Sequence, residues 1–320
     1  MTPTQLRAFA AVVRLGSVKR AAAELSVTDA AVSLHVGQLR RELDDRLFTP
    51  TASGLAFTPG GLRLASRAAE LLGLQDRTVR EVRQAGGGRR LLRIATSSLF
   101  AEHAAPGLIE LFARRADDLD VELSEHSPGE FAALLLTRTV DVAIGPRPQD
   151  CDAVITSMPI LNYQVVAVAA PEHPLTQIQA SVGELREQTW VLGPSAAAHQ
   201  GLVQTLLRRL DVPEVHQRIF QSHAAAVDEA KRGKGIALAL SFAVSQDLAT
   251  GDLRRVIGHG QQLHAEGAWH ILTLTERGAS SAGAELTRFV STPRAIQAML
   301  RGSGVTVGRF RPSIHVTLWS

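Results

Sequence analysis

The stretch SVKRAAAELSVTDAAVSLHVGQLRREL, residues 17–43, decides how the amino-terminal part of the chain folds. Ser17 is placed to cap a helix running Val18 to Leu25, Ser26-Val27 makes a tight turn, and Thr28 caps a second helix from Asp29 to about Leu43. On that second helix Val32, Val36, Leu39 and Leu43 recur at four, three and four residues, which makes one buried stripe. Ala22 is small where two steeply crossed helices must approach closely. The opposite face carries Thr28, Asp29, Ser33, Leu34, Gly37, Arg40 and Arg41 and has no need of burial. Two short helices with the second left free on one side read as a helix-turn-helix, whose free face lies in a DNA major groove. A helical hairpin without a DNA role is the plainer alternative.

Working outward, Thr4 to Leu15 predicts a first helix with Leu6, Phe9, Ala10 and Val13 inward. Leu47 to Pro59 alternates and holds turn formers (Pro50, Ser53-Gly54), so it reads as a two-stranded wing. Gly60 to about Gln84 is a long helix whose apolar share exceeds what one short domain can cover, which argues for packing against a second copy. Packing on its own chain alone is the other option. Gly86-Gly87-Gly88 marks a hinge.

Beyond the hinge, strands and helices alternate: Leu91–Ala95, Ala105–Arg114, Val121–Ser124, Gly129–Thr137 and Asp141–Ile144. That order predicts a parallel sheet with helices on both faces. Tyr163–Ala169 opens a second lobe, with strands at Trp190–Leu192 and Ile236–Leu240 and helices at about Gly201–Leu210 and Ala224–Arg232. His270–Leu274 returns toward the first lobe, followed by a helix at Gly283–Val290. In the tail, Pro312 to Trp319 reads as a further strand.

The residues Leu6-Arg7-Ala8-Phe9, Gly16-Ser17, Ala21 to Leu25, Ala31-Val32-Ser33, Leu39, Leu43, Leu47-Phe48 and Phe57 to Gly61 resemble the amino-terminal domain of LysR-type transcriptional regulators. The likeness continues, in order and spacing, through Leu92 to Ala95, Leu119 to Leu123, Val140 to Ile144, His173-Pro174-Leu175 and Gly233 to Ala237. The resemblance implies an α/β chain in four parts: a winged helix-turn-helix at 1–59 (helix-turn-helix 18–37), a dimerising linker helix and hinge at 60–88, an effector-binding domain at 89–292, and a basic extension at 293–320. The effector domain would be two-lobed and like a periplasmic binding protein, with lobe I about 89–162 and 266–292 and lobe II about 163–265.

By position, the resemblance points to Thr28, Asp29, Ala30, Ser33, Leu34, Gly37 and Arg40 as DNA-binding, with Thr51 and Ser53 on the wing. The chain departs from the family where arginine is common: Leu34 follows Ser33, and Pro50, Ser53 and Ala56 stand on the wing. Fewer phosphate contacts predict weaker affinity per head and reliance on avidity, aided by Arg40, Arg41 and Arg46. Parallel sheets bind ligands at strand carboxyl ends. Thr96-Ser97-Ser98, running into a helix, offers hydroxyls and amides that suit a carboxylate or phosphate. Other loop ends add Glu125-His126-Ser127, Gly145-Pro146-Arg147, Ser195 to His199 and Ser222-His223, and Arg147 could pair with an anionic effector. An Arg147 that pairs with a surface acid, and histidines that are structural, are the plainer options.

Overall charge is +3, but residues 1–90 carry +6, residues 91–292 carry −7, and the last 28 carry four arginines and no acid. A basic head on an acidic body suits phosphate neutralisation by the head alone. The single Cys151, read as a passive thiol, fits a reducing compartment, and neither a secretory leader nor an eighteen-residue apolar run is present, so a cytoplasmic protein is expected. An enzyme could be assembled on paper from Ser97, His126 and Asp141, yet no nucleophile-elbow or metal spacing supports it. The reading is a regulator, not an enzyme, with no cofactor and no metal. Its expected partners are double-stranded DNA with an inverted-repeat operator, a small anionic effector, further copies in a dimer and tetramer, and RNA polymerase, with no membrane. A nucleoid-type or degenerate DNA-binding protein without an effector is the alternative.

Overall fold

A computed structural model describes residues 1–51, 54–86, 89–115, 118–149, 151–198, 201–258, 263–275 and 280–301. The chain forms two compact units, one of the residues before Arg89 together with Leu136–Thr139 and one of the remainder.

In the first unit, α1 (Pro3–Leu15), α2 (Val18–Glu24) and α3 (Asp29–Leu43) precede a wing of β1 (Phe48–Thr51) and β2 (Gly54–Phe57), and α4 (Pro59–Ala85) follows. Thr2 and Gln5 form a reciprocal capping box at the start of α1, and Gly16 ends it in the left-handed region. Phe9, Val12, Ala21, Ala22, Val32, Val36, Leu39 and Phe48 make the core. Leu43 departs from the expected stripe and is 42% exposed. The cause is chain direction: α1 begins beside the end of α3, where the Met1 ammonium meets Glu42 and Gln5 donates to Gln38, so α1 has no further turn to cover Leu43. The wing pairs antiparallel with Phe48 opposite Phe57. Along α4, Ala68 is buried against the head, whereas Leu71, Leu74, Val79 and Val82 remain exposed on one side.

The second unit opens with β3 (Arg90–Thr96), α5 (Ser98–His103), α6 (Ala105–Ala113), β4 (Leu119–Glu125), α7 (Phe131–Leu136) and β5 (Val142–Pro146). Then come β6 (Ile155–Ala169), β7 (Gln179–Ala180), α8 (Val182–Arg186), β8 (Trp190–Leu192), α9 (Leu202–Arg209), β9 (Gln217–Ile219), α10 (His223–Lys231) and β10 (Ile236–Leu240). It closes with α11 (Ser245–Thr250), β11 (Arg254–Arg255), β12 (Ile257–Gly258), β13 (His264–Leu274), α12 (Ser281–Val290) and α13 (Pro293–Arg301). Strand order is β4-β3-β5-β13-β6-β10-β8-β9. The β3–β4, β3–β5, β8–β10 and β8–β9 pairs are parallel, as the alternating pattern predicts.

Both crossover strands are longer than the sequence suggests. β6 starts at Ile155 rather than Tyr163, and β13 at His264 rather than His270. Polar Thr156, Ser157 and Asn162 with Pro159 hide the strand character of the first half of β6. Pro159, which has no amide to donate, sits opposite the register shift between Trp269 and His270. Each strand runs from one lobe into the other, so the lobes share one hydrogen-bonded ladder.

The extension expected from residue 293 is also different. Its first nine residues are α13, with Ala295 and Met299 fully buried against α6 in the core of the first lobe. The strand expected at Pro312 to Trp319 lies outside the described residues, as do Gly87 and Gly88 of the hinge.

Candidate functional site

The DNA-facing candidates are arranged by local chemistry. Ser17 Oγ accepts from the Arg20 amide at 3.3 Å, Ser26 turns the chain with φ 55°, and Thr28 Oγ1 accepts from the Ala31 amide at 3.1 Å. Val32, Val36 and Leu39 are buried beneath α3, and Thr28, Asp29, Ala30, Ser33 and Leu34 are exposed on its other side. Gly37 is half-buried, and a Cβ added there would meet nothing within 4 Å. The absent side chain leaves room for a close neighbour on that face.

Arg40 is not with them. Its Nη2 donates to the Phe48 carbonyl at 2.7 Å and its guanidinium lies 4.5 Å from the centre of the Phe48 ring. The residue seven on from Ser33 sits about 20° short of two full turns, and from there a long side chain reaches the wing strand. Arg40 braces the wing; it does not lie on the free face. Thr51 is exposed at the end of β1, and Ser53 lies outside the described residues.

Between the lobes is a cavity of about 320 Å³. Ser97, Ser98, Glu125, His126 and Glu130 line it from one lobe, Ser195 and Leu202 from the other, and Tyr163 and Trp269 from the crossover strands. Ser97, Ser98, His126 and Ser195 are therefore brought together as the sequence suggests. Thr96, Arg147 and His223 are not. Thr96 is fully buried at the end of β3 and is not among the lining residues. Arg147 lies past the end of β5, exposed and outside the lining. His199 lies outside the described residues.

His223 is buried behind the wall of the cavity, 1% exposed. Its Nε2 lies 2.9 Å from Ser195 Oγ and its Nδ1 2.8 Å from Glu102 Oε2. Glu102 also accepts the amides of His223 and Ala224, each at 2.7 Å, so a side chain from α5 caps α10 of the other lobe. Gly193 is required beside it, because a Cβ there would lie 2.3 Å from His223 Cδ2. Burial drives the Glu102 carboxyl up, but the hydrogen bonds from the His223 ring, the His223 amide and the Ala224 amide outweigh it and hold it down at about 2. Burial pushes neighbouring His103 down to about 4, against the pull of Glu102.

Glu102, His103 and His223 carry ligand atoms within 4.8 Å of one another. Both oxygens of Glu102 and both ring nitrogens of His223 already have hydrogen-bond partners, which makes the trio an interlobe clasp before it is a metal site.

The described lining of the cavity does not include the arginine expected for an anionic effector. Its charged lining residues are Glu125 and Glu130; no lysine or arginine is among the described ones. Burial raises the Glu125 carboxyl above its ordinary value. Tyr163 stacks on Trp269 with ring centres 4.5 Å apart, and burial pushes the Tyr163 hydroxyl up to about 12. The lone Glu102, the carboxylate Glu130 and the Tyr163–Trp269 floor were not singled out by sequence reasoning. Only the carboxyl end of β4, the Glu125-His126-Ser127 loop, gave a local signal for the acidic side.

Residues 3–62 match the family described as "Bacterial regulatory helix-turn-helix protein, lysR family", and residues 85–292 match the "LysR substrate binding domain". An uncharacterised HTH-type transcriptional regulator of Mycobacterium tuberculosis is 58% identical over 323 residues, covering 100% of both chains. Among solved structures, ArgP of M. tuberculosis is similar with a TM-score of 0.59 at 21% identity, covering 91% of this chain and 96% of that one. Full-length LysG of Corynebacterium glutamicum with bound effector Arg is similar with a TM-score of 0.57 at 21% identity, covering 94% and 99%. At these identities the structural likeness speaks for the fold.

Proposed function

The chain belongs to the LysR family of transcriptional regulators, with a helix-turn-helix and a LysR substrate-binding domain, and from that premise we propose how it works. Two heads of a dimer read an inverted-repeat operator through Thr28, Asp29, Ala30, Ser33, Leu34 and Gly37. A small effector in the interlobe cleft changes how the heads are presented, provided it favours one lobe arrangement over another. The exposed apolar side of α4 is the contact between copies, and dimers pair into tetramers. The protein works in the cytoplasm, where RNA polymerase is its further partner, and it carries out no catalysis of its own.

The observation that carries this reading is the solvent-facing side of α3, opposite Val32, Val36 and Leu39. Leu34, 55% exposed at the centre of that side, is spent on nothing in the head and is positioned for a thymine methyl. Ser33→Glu would set a carboxylate against the duplex without touching the core. The expected result is loss of operator binding in a gel shift, with unchanged thermal unfolding and unchanged oligomer size. Operator affinity equal to that of the unmodified chain would overturn the reading.

A further inference from the structure

We propose that the interlobe cavity selects a small molecule carrying an ammonium or guanidinium group together with a hydrogen-bond acceptor, and discriminates against simple anions. The proposal rests on the reading of this cavity as the effector site.

Three features of the lining point the same way. First, its charged groups are two carboxylates, Glu125 and Glu130, with no lysine or arginine among the described lining residues. A ligand anion beside them would add like-charge repulsion, whereas a cation supplies a counter-charge. Glu130 Oε2 already accepts the Ser127 amide at 2.8 Å, and His126 Nδ1 stands 4.0 Å from it, too far for a hydrogen bond.

Second, two buried polar atoms on lining residues have no hydrogen-bond partner among the described residues: Ser97 Oγ and Trp269 Nε1. Ser97 is 7% exposed and Trp269 fully buried. An indole nitrogen only donates, and buried polar groups in folded proteins are paired as a rule, so the partner they call for is an acceptor on a ligand. A carboxylate or carbonyl meets that need.

Third, the atoms are held in place. Trp269 stacks on Tyr163 and meets the edge of Phe100 with ring centres 5.0 Å apart, which fixes the direction of its N–H. A Cβ on Gly145 would lie 3.0 Å from Ser97 Oγ and 2.8 Å from Phe131, so a glycine there keeps the serine seated. Acidic groups on one side and fixed donors on another match a molecule with a positive end and an accepting end, such as an amino acid with a basic side chain.

The test is calorimetric titration of the full-length protein with L-arginine, L-lysine and putrescine as cationic probes and with succinate as the anionic one. The expected outcome is binding of the two amino acids and not of succinate. Glu125→Gln or Glu130→Gln should weaken the amino acids on the order of tenfold, as for loss of one charge-assisted hydrogen bond. Ser97→Ala should weaken the amino acids more than putrescine, which has no acceptor. Succinate binding that weakens in Ser97→Ala and strengthens in Glu125→Gln would overturn the ligand class while leaving the cavity as the effector site. Binding of a probe that is indifferent to all three substitutions would overturn the class and the cavity reading together, and binding of no probe would overturn the class alone.

Discussion

Glu102 and His223, 121 residues apart in sequence, are joined by a carboxylate that accepts one imidazole nitrogen and two backbone amides. The carboxylate stands on α5 of one lobe and the imidazole on the first turn of α10 in the other. The second ring nitrogen of His223 reaches Ser195, a residue of the cavity wall. The clasp and the cavity thus share one hydrogen-bonded chain.

Glu102→Ala should therefore destabilise the effector domain. It leaves the amides of His223 and Ala224 and one imidazole nitrogen without their acceptor, a loss of about 2 kcal/mol for hydrogen bonds to a charged group. Thermal unfolding of the full-length protein at neutral pH checks this, and an unchanged midpoint would show that the clasp contributes nothing.

Acid should weaken the same region in two stages. His103 titrates near 4 in the folded chain against 6.5 unfolded, so the unfolded state binds the extra proton and stability falls as pH drops from about 6.5 toward 4. Glu102, at about 2 folded against 4.5 unfolded, contributes stability that is present above about 4.5 and lost as pH falls through 2. Denaturation midpoints measured from pH 7 to pH 3 should fall throughout, less steeply above pH 4.5 in His103→Gln. Equal slopes in the two proteins would refute the assignment.

Arg40→Ala should act on the head's stability before it acts on DNA. The guanidinium hydrogen-bonds to the Phe48 carbonyl and covers the Phe48 ring, together worth roughly 1–2 kcal/mol in a half-buried setting. Removal should lower the unfolding midpoint of the head, with the salt slope of operator binding reduced by less than one counterion. A slope reduced by a full counterion at unchanged stability would return Arg40 to the phosphate contacts.

On α4, Leu71→Glu together with Val82→Glu places charges on the exposed apolar side, where Leu71 is 41% and Val82 68% exposed. Light scattering should then report monomers, while a single chain's fold is kept because neither residue is in its core. Dimers of undiminished stability would place the contact between copies elsewhere.

The parts legible in the sequence share one property: their signals are local. Ser17, Ser26 and Thr28 act within three residues of themselves, and the stripe Val32, Val36, Leu39 follows from helical period alone. Leu43 shares that period yet stays exposed, because its cover depended on where α1 begins. The first half of β6 was missed for a related reason: its polar residues and Pro159 are tolerated by a crossover strand and a bulge that belong to another part of the chain.

By itself, then, the sequence determined the helix-turn-helix, the alternation of strands and helices, and the serine-bearing loop at Ser97, all of which depend on periodicity and capping within a few residues. Only the tertiary structure decided that Arg40 turns to the wing, that Glu102 clasps His223, and that the cavity carries carboxylates where an arginine was expected. Those outcomes depend on which distant backbone a side chain meets, and the sign of a site is the sum of charges that the fold brings together from segments far apart in the chain.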